Sequence, residues 1–341
     1  MDASPSDALP DQTGGAHQEY AAARAGAVVF DLAGWTQMEL GGAQRAGFLH
    51  NFCTNDVRSL TPGHGCEALI TSVQGKVLGH VFIYAETTAL TLIGAPGQAE
   101  RMIQHLSRYQ INEDVSFCDR TRERGLLLVV GPQAAIALFN FGSGALSLAN
   151  GEGCHCTVGS FSLDVHRNDL LGLPGFLLSC PAGQTIDLVR ALDAAGAQPA
   201  RGAVFEALRI EAGFPLYGVD ITDANLAQEA GRTSQAISFS KGCYLGQEPI
   251  ARIDAMGHVN QQLRGIRLRE GPVPPAGADI VTGEPNSREI GFITSAALSY
   301  ASDRPVALGY LKRHFDTPGL EVAVRAGGRS IKGELFWPQP G

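Results

Sequence analysis

No stretch of this chain approaches the ~18 consecutive apolar residues that a membrane-spanning helix needs. Nor does it carry a basic excess: 26 Lys and Arg against 34 Asp and Glu leave a formal net charge of -8. A general nucleic-acid-binding role, which needs a basic footprint, is therefore disfavoured, and small molecules or proteins become the expected partners. A secreted disulfide framework is missing too, because the seven cysteines at positions 53, 66, 118, 154, 156, 180 and 243 are odd in number and scattered. This usage fits a reducing, cytoplasmic setting. The first sixteen residues are rich in Asp, Pro, Ser and Gly and have neither the apolar core of a signal peptide nor the Arg-rich bias of a transit peptide. They read as a frayed tail over 1–16, with no export implied. What is present is ordinary soluble composition, 44% hydrophobic and 18% charged over 341 residues. At about 150 residues per domain that length implies two or three units.

One octapeptide stands out: Lys241-Gly242-Cys243-Tyr244-Leu245-Gly246-Gln247-Glu248, just after the apolar run Ala236-Ile237-Ser238-Phe239. It sets a thiol near an ammonium group and between two glycines, and nearby positive charge favours thiolate. Glycines on either side allow a tight turn, so Cys243 is expected at a loop apex, accessible and reactive. The alternative is a buried cysteine acting as a small hydrophobe. On the first reading Lys241 favours the thiolate, Gly242 and Gly246 shape the loop, and Gln247 and Glu248 supply polar anchors. Arg252, four residues beyond Glu248, can pair with it on a helix, and Tyr244 offers an aromatic face.

The rest of the chain divides by pattern. A helix is expected over His17 to Val29, a strand over Thr36 to Leu40 and a helix over Gly42 to Asn51. Segments 67–73, 77–84 and 89–94 read as an antiparallel meander, followed by a helix over 98–109 with Met102, Ile103 and Leu106 on one face. Ala89 to Gln98 and Gly175 to Gln184 then look like one repeated unit, since in both a strand meets proline and a helix begins beside Gly-Gln. Two related α+β halves follow, about 17–118 and 119–257. Ala203 to Ala212 should be helical and stop at Gly213. Beyond Gly257 short strands broken by Pro and Gly suggest a separate β-barrel over 258–341.

Three ordered motifs carry a resemblance. Leu208-Arg209-Ile210-Glu211-Ala212-Gly213, then Leu216-Tyr217-Gly218-Val219-Asp220-Ile221, then the octapeptide, resemble the superfamily of the glycine-cleavage T-protein. Phe52-Cys53-Thr54-Asn55-Asp56-Val57 and Gly75-Lys76-Val77-Leu78 are similar to it as well, so the match covers roughly residues 25 to 325. The cysteine-containing octapeptide resembles the YgfZ branch, a folate-binding group linked to assembly or repair of iron–sulfur proteins. The resemblance implies an α+β, T-protein-like fold, with two pseudo-related halves around a central pocket plus a C-terminal β-barrel. It also implies tetrahydrofolate as cofactor, and iron–sulfur clients or assembly machinery as partners.

Departures from the family narrow the expectation. The second of two aspartates on the strand after the glycine turn is the T-protein's catalytic carboxylate, and the matching positions here are Gly79 and His80. An imidazole cannot replace a fixed carboxylate beside a folate nitrogen, so aminomethyl transfer is not expected. The T-protein's pterin-gripping glutamate falls at Leu173 and its arginine at Phe205. By analogy Thr91 and Ile93 line the same pocket, which would be apolar and aromatic and hold a ring by stacking and burial.

Cys154-His155-Cys156 lacks the second ligand pair of a structural zinc site, so no metal is expected. His64, His166, His258 and His314 share no uniting spacing, and Arg209 and Glu211 are expected to form structural pairs. The functional expectation is an accessory factor acting through Cys243. Its rivals are a folate-dependent one-carbon transferase or demethylase and a non-catalytic ligand-binding module.

Overall fold

The protein is described by a computed structural model covering residues 13–143, 147–283 and 287–336. Its first part runs α1 (Thr13–Ala25), β1 (Val28–Asp31), β2 (Thr36–Gly41), α2 (Arg45–His50), β3 (Gly65–Thr71), β4 (Val77–Ala85), β5 (Leu90–Gly94), α3 (Ala99–Ser107) and β6 (Ser116–Asp119). The second runs β7 (Arg124–Val130), α4 (Ala134–Phe141), β8 (Gly153–Val158), β9 (Phe161–Arg167), β10 (Gly175–Pro181), α5 (Thr185–Ala194), β11 (Gln198–Pro199) and α6 (Gly202–Ala212). Short helices α7 (Thr233–Ala236) and α8 (Gln247–Met256) lead into β12 (Gln261–Leu268), β13 (Asp279–Thr282), β14 (Glu289–Ser299), β15 (Arg304–Lys312), β16 (Glu321–Ala326) and β17 (Arg329–Phe336). These last six close a barrel.

Strand order is the signature of the two halves. One sheet is ordered β3-β4-β5-β2-β6 and the other β8-β9-β10-β7-β1, with β11 added at its end. The orders superpose strand for strand. The expected meander is β3, β4 and β5, antiparallel throughout. The repeated Pro-Gly-Gln unit is equally plain: Gln98 precedes α3, and Gln184 precedes α5 after a short 3-10 turn.

Each sheet is apolar on both faces, as strands covered on both sides must be. Along β7, Leu127 and Val129 pack outward against Leu138 of α4 and Leu188 of α5, while Leu126, Leu128 and Val130 point to the inner core. Along β4, Val81 and Ile83 pack outward with Met102 and Leu106 of α3, while Phe82 and Tyr84 point inward. The result is helix, sheet, sheet, helix, with the inner faces meeting.

At the seam between the sheets, the segment leading into each edge strand repeats the same bonds to its own sheet. Gly63 N–H donates to Ala85 at 2.9 Å and Gly151 N–H to Arg167 at 3.0 Å; Ala85 N–H donates to His64 at 2.8 Å and Arg167 N–H to Glu152 at 2.7 Å. Gly63 and Gly151 have φ of +88° and +86°, and a Cβ on either would lie 3.2 or 3.1 Å from the carbonyl oxygen of Gly153 or Gly65 across the seam. The two positions need left-handed backbone and close approach together, which glycine alone gives without strain. His64 and Glu152 form a bridge between them.

Two expectations shift at the N-terminus. Residues 1–12 of the expected tail lie outside the described residues, and Thr13 to Ala16 open α1. The helix expected over His17 to Val29 ends at Ala25, because Val28 and Val29 belong to β1, which pairs with β7 of the second sheet. Gly26 and the β-branched pair behind it end the helix and favour a strand.

The barrel is fastened through one buried carboxylate. Asp220, 1% exposed, accepts from Arg209 Nη1 at 2.8 Å, Leu216 N–H at 3.0 Å, Thr294 Oγ1 at 2.5 Å and Ser295 Oγ at 2.7 Å. Arg209, itself 1% exposed, also meets Glu206, so this arginine is structural, and Glu211 accepts from Tyr20. Removing one member of a buried pair strands the other charge. Asp220→Ala should therefore cost about 3–5 kcal/mol in urea unfolding, with the barrel's hydrogen-exchange protection falling together with that of α6.

Candidate functional site

Between the sheets lies a cavity of about 260 Å³, walled by the inner faces of β3 and β4, the loop after β9, the end of α6, and α7. Register explains its walls. Glu67 stands opposite Phe82 and Gly65 opposite Tyr84, so all four positions share the inward face of the β3–β4 pair. Gly65, Gly151 and Gly172 leave the space open.

Glu67 is the charged centre of the cavity. Arg232 grips it through Nε at 2.8 Å and through Nη2, and His80 Nε2 lies 2.8 Å from Oε1. Burial alone would raise the Glu67 carboxyl, but the Arg232 guanidinium and then His80 outweigh it and hold it down to about 2. An ionised carboxylate only accepts, so His80 donates Nε2–H. The His80 main chain is fixed from the other side, its N–H donating to Gln98 Oε1 at 2.7 Å. Arg232 also lies 5.6 Å over the Phe214 ring, which stacks on Phe82.

None of the four residues expected to line an apolar pocket borders this cavity except by adjacency. Phe205 packs edge-on against Phe30 and Trp35, with ring centroids 5.6 and 6.0 Å away, and Ile93 and Leu173 join the same inner core. The space expected to hold a ring is thus filled by this chain's own aromatics. Thr91 turns to Glu86, to which its hydroxyl donates. The cavity that does exist is polar, with Glu67, Arg232, Tyr84 and Asn168 among its walls. Its legible signal was the glutamate at the start of the apolar strand 67–73.

Residues 241–246 of the octapeptide lie in the irregular stretch joining α7 to α8, laid against the segment after α2. Thr54 Oγ1 donates to Ala236 at 2.6 Å, Leu245 N–H to Asn51 at 2.8 Å and Thr71 Oγ1 to Leu245 at 2.7 Å. Gly246 has φ of +84°, and a Cβ there would come within 2.3 Å of the Ser72 oxygen. Of the two glycines it is the one the turn requires; Gly242 has no positive φ.

Lys241 departs from its expected role. Its ammonium is turned inward and donates to the carbonyls of His50, Cys53 and Asn55 at 2.7, 2.7 and 2.8 Å, 4.8 Å over the Tyr244 ring. All its hydrogens are used there, so it fixes the loop and does not sit on the Cys243 thiol. The sulfur it approaches is Cys53, at 4.0 Å, yet burial outweighs the ammonium and pushes that thiol up to about 11. Of the seven cysteines, all free, Cys243 alone is exposed.

Tyr244 is buried beside Leu69 and Ile250, with its hydroxyl pushed up to about 12, first by burial. Gln247 and Glu248 open α8, where an acidic side chain suits the helix N-terminus. Glu248 and Arg252 share that helix but form no ion pair among the described residues. His155 pairs with Asp164 at 2.7 Å, while Cys154 and Cys156 pack against the outer core of the second sheet. Among the described residues no three His, Cys, Asp or Glu side chains gather as a metal site.

A sheet pair of this order carrying a six-stranded barrel defines a protein class. Residues 9–241 match the family profile described as the GCVT N-terminal domain, and 261–340 that of the glycine cleavage T-protein C-terminal barrel domain. The chain belongs to the glycine-cleavage T-protein family. A chloroplastic protein of Arabidopsis thaliana, provisionally named a transferase, is 28% identical over 90% of this chain and 70% of its own length. An aminomethyltransferase of Rubrobacter xylanophilus is 26% identical over 93% and 84%. The crystal structure of glycine cleavage system aminomethyltransferase T from Bartonella henselae shares the fold, with a TM-score of 0.84 over 96% of this chain and 89% of that one at 23% identity.

The Glu67–Arg232 pair makes stability pH-dependent. Its folded carboxyl titrates near 2 against ~4.3 when unfolded. The contribution is therefore whole above about pH 5 and lost as pH falls toward 2. Glu67→Gln, which leaves Arg232 buried without its counter-charge, should lower stability by about 3–5 kcal/mol at neutral pH and flatten that acid limb. Urea unfolding of both proteins across the acid range checks this; identical acid limbs would show that the pair is not the titrating element.

Proposed function

We propose that this protein is a folate-binding accessory factor of the YgfZ kind, supporting assembly or repair of iron–sulfur proteins in the cytoplasm through Cys243. The observation that carries the reading is the exposed thiol on a loop held rigid by Lys241. A caged ammonium fixes where the sulfur stands, which is what presentation to a partner requires. One thiolate is too few to hold a cluster, so iron–sulfur client proteins or the assembly machinery supply the remaining ligands.

Tetrahydrofolate fits the central cavity in part. Its 260 Å³ lies near the low edge of the ~300–1,000 Å³ usual for small-molecule sites, so it takes a ring system and leaves the tail outside. Phe82 and Tyr84 supply aromatic wall, and Asn168, Asp169 and Gln235 supply polar rim. Folate contributes a nitrogen able to carry one-carbon units; the chain's residues bind and orient it.

A folate-dependent transferase is the second reading, favoured by the ionised Glu67 in the cavity wall. Against it, both Glu67 oxygens are already taken by Arg232 and His80. His80, at the position of the family's carboxylate, is likewise committed.

These measurements test the proposal. Calorimetry should register tetrahydrofolate binding, abolished by Ala212→Phe, which fills the cavity without removing a polar group; no heat at saturating folate overturns the cofactor. Cys243→Ser should leave folding within about 0.5 kcal/mol and abolish rescue of iron–sulfur enzyme activity in a deletion strain. Wild-type Cys243 should also alkylate well before buried Cys53 and Cys180. Full rescue by the Ser variant would make the thiol structural, and turnover of aminomethylated carrier protein at the rate of a true T-protein would make the chain a transferase.

A further inference from the structure

The repeated seam places a second cavity where the fold's own symmetry puts a twin of the first. Superposing β3-β4-β5 on β8-β9-β10 by their registers sets Glu67 on His155, Phe82 on Asp164, Tyr84 on His166 and Asn168 on Glu86. The twin cavity measures about 320 Å³ and opens between the turn after β4 and the inner face of β8 and β9. Tyr84 and His166, equivalent in the two halves, stack on each other at 3.8 Å and form the wall between the cavities.

The twins differ in one consequential way. In the first, the Asn168 amide donates to the Tyr84 hydroxyl at 2.9 Å and closes the pair. In the second, the equivalent Glu86 and His166 make no hydrogen bond to each other. His166 is 4% exposed, and neither ring nitrogen has a hydrogen-bond partner among the described residues. A buried imidazole nitrogen without a partner is costly, and a bound donor would satisfy the unprotonated one. Burial pulls the ring down to about 4, more than Asp164 restores, so at neutral pH it presents a free lone pair. Nearby Asp164 is already paired with Arg124 and His155. What remains unspent is a carboxylate at Glu86, which among the described residues accepts only from Thr91, and an imidazole acceptor. A small neighbouring cavity of about 40 Å³ touches the same Glu86 and His166.

We propose that this twin cavity is a second small-molecule site, taking a compact primary amine whose ammonium group donates to Glu86 and to the free nitrogen of His166. An ammonium supplies the donors that both groups lack and the charge that Glu86 requires. The Glu86 carboxylate and the unprotonated His166 nitrogen both call for a donor, and an anion would meet Glu86 with like charge.

Propylammonium chloride is the probe, with the ring nitrogens of His166 followed by nitrogen-15 NMR in the full chain. A saturable shift is expected, weakened at least about tenfold by Glu86→Gln, since a charge-assisted hydrogen bond is worth ~1.5–3 kcal/mol. Glu86 lies half-buried at a turn, so that variant keeps the fold. His166→Phe, which preserves the stack on Tyr84, should abolish heat of binding in calorimetry, and sodium acetate should give none. Ala212→Phe, which blocks only the first cavity, should leave amine binding unchanged; failure of the folate reading therefore leaves this one standing. A shift that never saturates, equal affinity in Glu86→Gln, equal binding of acetate, or loss of binding in Ala212→Phe would each overturn the proposal.

Discussion

Two sheets of this protein end on the short strands β3 and β8, and their edges are pressed together by glycines. An open strand edge is a liability for any sheet, and here the two edges meet where they begin, through the Gly153 N–H to Gly63 bond and the His64–Glu152 bridge. The approach is close enough that a Cβ on Gly63 or Gly151 would crowd the opposite carbonyl. Once the edges are fixed in this way, the inner faces must meet, Tyr84 must stack on His166, and the space left on either side of that stack becomes the two cavities. The outer helices and the aromatic plug of Phe30, Trp35 and Phe205 fill what the seam leaves.

Around this frame the buried charges hold the remaining pieces in place. Asp220 ties α6 to the barrel, Glu67 ties β3 to the segment at Arg232, and Lys241 ties the cysteine loop to the turn after α2. Each is a single ion whose valences are almost all spent on protein groups, which is how a charge is tolerated away from water. The same economy explains why the thiol next to Lys241 in sequence is not the sulfur next to it in space. The ammonium goes where three carbonyls converge, and Cys243, excluded from that cage, faces solvent.

Local pattern made much of the architecture legible. The β3–β4–β5 meander, the helix face of Met102 and Leu106, the Gly213 stop and the Pro-Gly-Gln repeat all depend on residues within a few positions of each other. The partner of β1 did not show, because Val28 and Val29 choose β7 about a hundred residues later. For the same reason the site was only half visible. Cys243 stood out by its chemistry, but the cage around Lys241 is built from His50, Cys53 and Asn55, roughly 190 residues upstream. Leu173 and Phe205 read from the sequence as apolar replacements of polar grips. What could not be seen is that Phe30 and Trp35 would close over them, moving the usable space toward Glu67.

The repeat, finally, separates what a fold conserves from what chemistry changes. The main-chain bonds of the seam are matched across the halves to about a tenth of an ångström, because they satisfy backbone groups whatever the side chains are. Several side chains facing the cavities are free of that duty and have diverged: carboxylate to imidazole at Glu67 and His155, phenyl to carboxylate at Phe82 and Asp164, phenol to imidazole at Tyr84 and His166. A duplicated frame therefore yields two cavities of similar size and opposite character. One is closed upon its own ion pair; the other holds an acceptor pair still open. Asymmetry of that kind cannot arise from the backbone, so the chemistry of this protein is to be sought where its two halves differ most.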